Sequence, residues 1–320
     1  MSPTPTTAHS AHWEAYWSAA GGRRAAVSGD APGDLFDEVW RAFLTDALGQ
    51  RAAPKLLDLA CGAGVILDRA LETVSLSPLN GKARLVGLDF ASSAAAAVAQ
   101  KQTPENASIH GVAASAAALP FADDGFDIVV SQFGVEYAGM DAFTEAARVL
   151  APGGAMQFII HYRGGGIDRE CAENARVLGA VLQGGLFETA AEAIRGPDHD
   201  GAVAKLKTIY AALKPCLEGE PVAAKEMLAR LLGDVSRLVS RRQAYAPAEA
   251  VGWCEAMRAE VMLYEGRMRA MTESALDGGG VKDARDKLAS GGALVSAPEA
   301  LTPKGKSMPA AWLIKTERRA

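Results

Sequence analysis

The apolar positions of the chain change period twice, and the two changes divide it. Up to Leu48 they recur at helical spacing: Trp13, Tyr16 and Trp17 in HWEAYW, and Phe36, Val39, Trp40 and Phe43 in DLFDEVWRAFLTDAL, predict two helices. From Lys55 the apolar runs become short and continuous, as in buried strands. KLLDLACGAGV, Lys55 to Val65, ends its run in an acid and small residues, which predicts a strand, a tight turn and a helix. ARLVGLDF predicts a second buried strand ending at Asp89, and the alanines from Ala94 to Ala97 predict the helix after it. From Gly164 the helical period returns. Helices are predicted over Arg169–Leu182, Ala202–Leu213, Ala223–Val239 and Ala248–Ala275, the third with Leu228, Leu231, Leu232, Val235, Leu238 and Val239 on one buried face. The fourth carries Trp253, Met257, Val261, Tyr264, Met268 and Met271 as one stripe, open to three readings: plain core, an apolar acceptor pocket, or a dimer seam. The sheet resumes only with GGALVSAPEAL, from Gly291.

The turn after the first strand is the chemically pointed stretch. Gly62 and Gly64 have no Cβ, so the backbone can take unusual angles and a ligand can approach the main chain. The helix starting near Gly64 directs free N–H groups at that ligand, which favours an anionic group such as a carboxylate. A nucleotide-like cofactor follows. It is not held by a phosphate loop: a G-x-G-x-x-G turn would place its third glycine on Leu67, and a P-loop would need Gly-Lys-Ser/Thr where Gly64 is followed by Val65 and Ile66.

Asp58, Ala60, Gly62 and Gly64 together resemble motif I of the class I S-adenosylmethionine-dependent methyltransferases, with Ala60 where the family has its first glycine; among small-molecule members the type 11 and 25 domains are the most similar. The resemblance continues in order. Asp89 matches the family's ribose-binding acid. AALPFADDGFDIVVSQFGVEYA, Ala117 to Ala138, resembles the L-P-F-x-D-x-x-F-D-x-V-x-S segment that passes the adenine and enters the fourth strand. RVLAPGGAMQFIIHY, Arg148 to Tyr162, resembles the L-x-P-G-G turn before the fifth strand, and GKSMPAAWLIKTERR resembles the last, antiparallel strand. Where the family usually has an acid for the adenine amino group, four residues before Leu119, this chain has Ser115. Adenine recognition then rests more on main-chain groups of Ser115 and Ala116 and on apolar packing.

The resemblance implies an α/β fold, a Rossmann-like seven-stranded methyltransferase sheet with helices on both faces; the long helical stretch that follows the fifth strand, where the family core has one helix, reads as an inserted all-helical lid over the strands' C-terminal ends. Together these imply four parts: N-terminal helices covering the cofactor site (1–50), an S-adenosylmethionine-binding core (51–163), a lid insertion for the acceptor (164–280), and a closing helix with the last two strands (281–320). The implied cofactor is S-adenosyl-L-methionine, held by Asp58, Ala60, Cys61, Gly62, Gly64, Asp89, Phe90, Ser115, Ala116, Gln132 and Phe133. Trp17 of the first helix is an aromatic wall for it or a core staple.

Composition narrows the partners. The 320 residues suffice for one large or two modest domains, and 49% hydrophobic with 22% charged residues is ordinary for a globular protein. A formal net charge of -5 leaves no broad basic footprint for nucleic acid. The N-terminus has no basic start followed by an apolar run, and no stretch is apolar over the length a bilayer demands, so a cytoplasmic protein without a membrane partner is expected. Cys61, Cys171, Cys216 and Cys254 show no CxxC spacing, and the metal-like Asp198-His199-Asp200 lies in a polar segment, so no metal is expected.

Methyl transfer from a sulfonium is an in-line displacement in which the protein mainly aligns the reactants and excludes water. A hydroxyl or amine acceptor is helped by a base. His161, at the end of the fifth strand, is the candidate, with a structural histidine as the alternative. Glu136 and Tyr137, just beyond the fourth strand, are expected at the same rim for acceptor orientation or as a second base. No Asn-Pro-Pro-Tyr-like tetrapeptide occurs, which argues against amino-group methylation of bases or glutamine. The expected function is methyl transfer to a small apolar or aromatic acceptor by a monomer or homodimer. The alternatives are a macromolecular acceptor, which a basic lining of the insertion would favour, and a regulatory protein that keeps the fold without catalysis.

Overall fold

A computed structural model of the chain describes residues 7–20, 33–76 and 81–316. Two helices, α1 (Thr7–Ala20) and α2 (Gly33–Gly49), precede β1 (Lys55–Leu59), α3 (Val65–Leu76), β2 (Ala83–Asp89), α4 (Ser92–Ala99), β3 (Ala107–Ala113), β4 (Phe126–Gln132), α5 (Met140–Val149) and β5 (Leu150–His161). Next come α6 (Gly166–Gln183), α7 (Leu186–Arg195), α8 (His199–Leu213), α9 (Ala223–Ser240) and α10 (Pro247–Ser274), then α11 (Gly278–Ala289), β6 (Glu299–Leu301) and β7 (Ala311–Lys315). The chain folds as two compact units, one of residues 1–168 with 271–320 and one of residues 169–270.

The first unit is a seven-stranded sheet in the order β3-β2-β1-β4-β5-β7-β6. β1 to β5 run parallel and β7 runs antiparallel to both β5 and β6. The central strands are apolar on both faces because helices cover both: Leu56 to Leu59 of β1 are all buried, as are Ile128 to Ser131 of β4. One core cluster joins Leu57, Val86, Val129, Phe143, Met156, Phe158, Leu288 and Ile314, and Trp40 and Leu44 of α2 are fully buried. Chain order reverses across the neighbouring pair β1 and β4, and ligands of open α/β sheets bind beyond the C-terminal ends of such a pair.

Two details refine the expected elements. Only Glu299–Leu301 of GGALVSAPEAL forms a strand; Pro298 has no N–H to give a ladder, and before it a single bridge joins Val295 to Thr316. At the end of β5, Leu276 N donates to the His161 carbonyl (3.0 Å) and Arg163 N to the Leu276 carbonyl (3.0 Å), while Tyr162 stacks on Trp312 at 4.2 Å. The chain that leaves β5 and the chain that returns to the sheet are thus bonded to each other.

The second unit is helical. α7 is additional to the predicted helices; Gly185, with φ 66°, turns the chain between it and α6. By length and composition the run 166–195 could cross a membrane, but it is bent at that turn, and its Val177, Leu178, Val181, Leu186 and Phe187 are buried in the unit's own core. Val261 belongs to this core, and Trp253, Met257 and Tyr264 pack against it. Those four members of the α10 stripe are therefore plain core.

Candidate active site

After β1 the backbone passes through left-handed angles at Ala60 (φ 53°), Gly62 (φ 49°) and Gly64 (φ 73°). A non-glycine residue in that region stores strain, which the neighbouring strand offsets. Cys61 N donates to the Leu88 carbonyl (3.0 Å) and Gly62 N to Asp89 Oδ2 (2.8 Å), while Ala91 N donates to Asp89 Oδ1 (2.8 Å). The Asp89 carboxylate is thus a fixed acceptor at the end of β2; burial raises its pKa, and the amides of Ala91 and Gly62 oppose the rise. Phe90 beside it is 61% exposed, an open aromatic face.

Asp58 is the unusual member. It is 1% exposed, and its Oδ2 has no hydrogen-bond partner among the described residues. Burial pushes its carboxyl well above the usual carboxylate range, with the charge of Asp89 adding to the rise. A buried carboxyl with an unused oxygen, next to the glycine turn, fits a ligand that brings a cation, such as the amino group of a methionine moiety. The same burial shapes stability. A folded-state pKa raised above the unfolded value contributes stability at low pH, and that contribution fades as pH climbs from about 4 through the raised value. Asp58→Asn is therefore expected to raise the melting temperature of the ligand-free protein at pH 8 relative to wild type, with the advantage shrinking toward pH 4 in a series of thermal melts. Parallel melting curves across that range would show that Asp58 does not titrate there. Cys61 is 8% exposed with its thiol pushed well up by burial and by Asp58, so it is a small packing residue and not a nucleophile.

Helix α1 lies over this turn. The Trp17 indole rests on Gly62 so closely that a Cβ there would come within 2.4 Å of Trp17 Cζ2. Glu14 accepts from Ser93 N (3.3 Å) at the start of α4, and Trp13 meets Tyr137 edge-on at 5.5 Å. On the opposite flank Ser115 Oγ accepts from Ala117 N (3.2 Å), so the hydroxyl serves its own loop. Ala116, next to it, is buried. Two residues not foreseen from sequence fix the loop: Glu145 Oε2 accepts from Leu119 N (2.8 Å), and Arg148 donates to the carbonyls of Leu119 (3.2 Å) and Phe121 (2.8 Å). Their signal was an acid and a base one helical turn apart, just before the Pro-Gly-Gly turn.

The ends of β4 and β5 hold the remaining candidates. The Gln132 side-chain oxygen accepts from Trp40 Nε1, which ties it to α2. Phe133, at φ 54°, has its ring 5.3 Å from Phe36 and 4.4 Å from His161. Gly134 lies against the motif turn, since a Cβ on it would come 2.5 Å from Ala60 Cβ. A 3-10 turn, Val135–Ala138, then carries Glu136 and Tyr137. Glu136 Oε1 is 2.7 Å from His161 Nδ1 and accepts from the His161 main-chain N–H (3.0 Å). Glu136 is 5% and His161 1% exposed, because β4 and β5 are adjacent and the turn after β4 folds back over the end of β5. The structure thus brings Glu136, Tyr137 and His161 together. Asp198 and His199, by contrast, serve a helix start and a main-chain carbonyl, accepting from Gly201 N and meeting the Ala193 carbonyl.

A glycine turn at the point where chain order reverses, an acid under it and an acid at the end of the next strand define a Rossmann-like cofactor domain. Comparison with known proteins narrows this. The family model described as methyltransferase domain matches residues 56–154. The chain is 37% identical over 125 residues to the ubiquinone/menaquinone biosynthesis C-methyltransferase UbiE of Dinoroseobacter shibae, covering 38% of this chain and 48% of that one. It is 37% identical over 119 residues to the demethylmenaquinone methyltransferase of Thermus thermophilus, covering 37% and 51%. The chain therefore spans about half the length of the curated relatives it matches. A solved S-adenosylmethionine-dependent methyltransferase of Mesorhizobium loti aligns at 22% identity over 38% of this chain and 53% of its own, with a TM-score of 0.30. Over residues 56–154 the chain carries a methyltransferase domain, and its likeness there is to the class I S-adenosylmethionine-dependent methyltransferases.

Proposed function

We propose that this protein transfers a methyl group from S-adenosylmethionine to a small apolar or aromatic acceptor. The observation that carries the reading is the buried Asp58 carboxyl, with its unpartnered oxygen, under the Gly62–Gly64 turn at the reversal of chain order. Asp58 receives the amino group of the cofactor, Asp89 its ribose hydroxyls, and Phe90 with the Ser115–Ala116 main chain its base; Trp17 closes the turn from above. When bound, the cofactor supplies an electrophilic methyl on positively charged sulfur, and the residues of the chain align the acceptor and keep water out. The names of both relatives refer to quinones, which supports a flat, small-molecule acceptor. The helical unit 169–270, inserted after β5, is the element to which we assign choice of acceptor.

Isothermal titration with S-adenosylmethionine and with S-adenosylhomocysteine tests the reading. Micromolar binding of both is expected. Absence of binding by either would replace it with a regulatory role for an inactive fold.

A further inference from the structure

We propose that Glu136 and His161 are a proton-accepting pair, and that the acceptor therefore carries an ionisable hydroxyl, as a phenol, enol or hydroquinone does. The inference rests on the function proposed above and names the substrate class of the same site.

Its basis is a buried pair left half-satisfied. Glu136 Oε1 accepts from the main-chain N–H of His161 at 3.0 Å and lies 2.7 Å from its ring Nδ1, which gives the imidazole one orientation; in the proton-accepting form the hydrogen is on Nδ1 and the lone pair on Nε2. Most histidines buried for packing have both nitrogens satisfied. Here Nε2 of His161 and Oε2 of Glu136 have no partner among the described residues, although both side chains are nearly inaccessible. Their surroundings are the Phe133 ring at 4.4 Å and the Tyr137 ring at 5.8 Å, with Ala311 of β7 paired alongside; the titratable groups described as facing His161 are Glu136 and Tyr137. A carboxylate fixed in such a place stabilises a cation beside it far better than it would in water.

The pair also lies close to the glycine turn. Phe133 touches the imidazole, and the next residue, Gly134, packs on Ala60 of the glycine turn. An acceptor hydroxyl reaching Nε2 gives up its proton to that nitrogen; the oxygen keeps the electron pair and is the nucleophile. The imidazolium so formed is paired with Glu136, and its proton passes to water when the product leaves. Glu136 touches no substrate in this account and is a positioning residue. An ionisable hydroxyl gains most from such a base, because its anion is a far better nucleophile than the neutral group.

The test uses the full chain saturated with S-adenosylhomocysteine and p-nitrophenol as the acceptor probe, since its phenolate has its own absorption band. The wild-type complex is expected to bind the probe and lower its apparent pKa by about one unit or more. His161→Gln abolishes that shift. Glu136→Gln keeps the size and an acceptor oxygen but not the charge, so it returns most of the shift, and Glu136→Asp restores part of it; S-adenosylhomocysteine affinity stays as in wild type in all three. If S-adenosylhomocysteine binds but the probe does not, or stays a phenol in the wild-type complex, or keeps its shift in Glu136→Gln, the pair is structural and the proposed function stands without it. Failure of S-adenosylhomocysteine itself to bind would remove both.

Discussion

Replacement of Gly111 by alanine is expected to lower the melting temperature by about 10 °C, from an overpacking cost of about 3 kcal/mol or more in a unit of this size. Gly111 lies in β3, where the strand passes directly under α4: a Cβ there would stand 1.8 Å from the Ala95 carbonyl oxygen and 2.7 Å from its carbon. The obstacle is main chain, so no rotamer change relieves it and the whole helix must lift. Since α4 begins at Ser92, three residues past Asp89, the displacement also disturbs the acid and its bonds to Gly62 and Ala91. Circular dichroism melts of the variant decide the matter; a transition within a degree or two of wild type would mean that strand and helix tolerate the extra carbon.

Asp89→Ala is expected to weaken S-adenosylhomocysteine binding by about 2 to 3 kcal/mol, or roughly 30- to 150-fold. Two losses combine. The ribose hydroxyls lose their acceptor, and the amides of Gly62 and Ala91, each 2.8 Å from a carboxylate oxygen, lose the group that holds the turn in its left-handed course. Calorimetric titration of the variant reads the loss, and a parallel melt separates it from unfolding. A folded variant with wild-type affinity would take Asp89 out of the site.

The glycine turn and the acids beside it were legible in the sequence because their geometry is local. Asp58, Gly62 and Gly64 lie within one strand-turn-helix unit, and their spacing alone carries the geometry of the turn. Asp89 was legible too, as the acid that ends the next apolar run. The pairing of Glu136 with His161 was not, although both residues were candidates: they are 25 residues apart and meet only because β5 lies beside β4 and the 3-10 turn folds back over it. Period and composition encode which faces are buried, but not which strand ends become neighbours. For the same reason Trp17 was readable as part of an aromatic face without revealing that the face rests on Gly62. The stripe in α10 stayed ambiguous because methionine and aromatic residues suit a core and a ligand pocket equally well; partners from α6 to α9 resolve Val261 and its neighbours as core.

The hydrogen bonds joining Leu276 to His161 and Arg163 bring the outgoing and incoming chain to one point, whatever lies between them. Closure entropy grows only logarithmically with length, so a segment tethered in this way can be lengthened, trimmed or exchanged with little effect on the sheet. The pairing of β5 with β7 keeps its register throughout. A shortened or exchanged segment between Arg163 and Leu276 is therefore expected to leave the order and register of the sheet as they are.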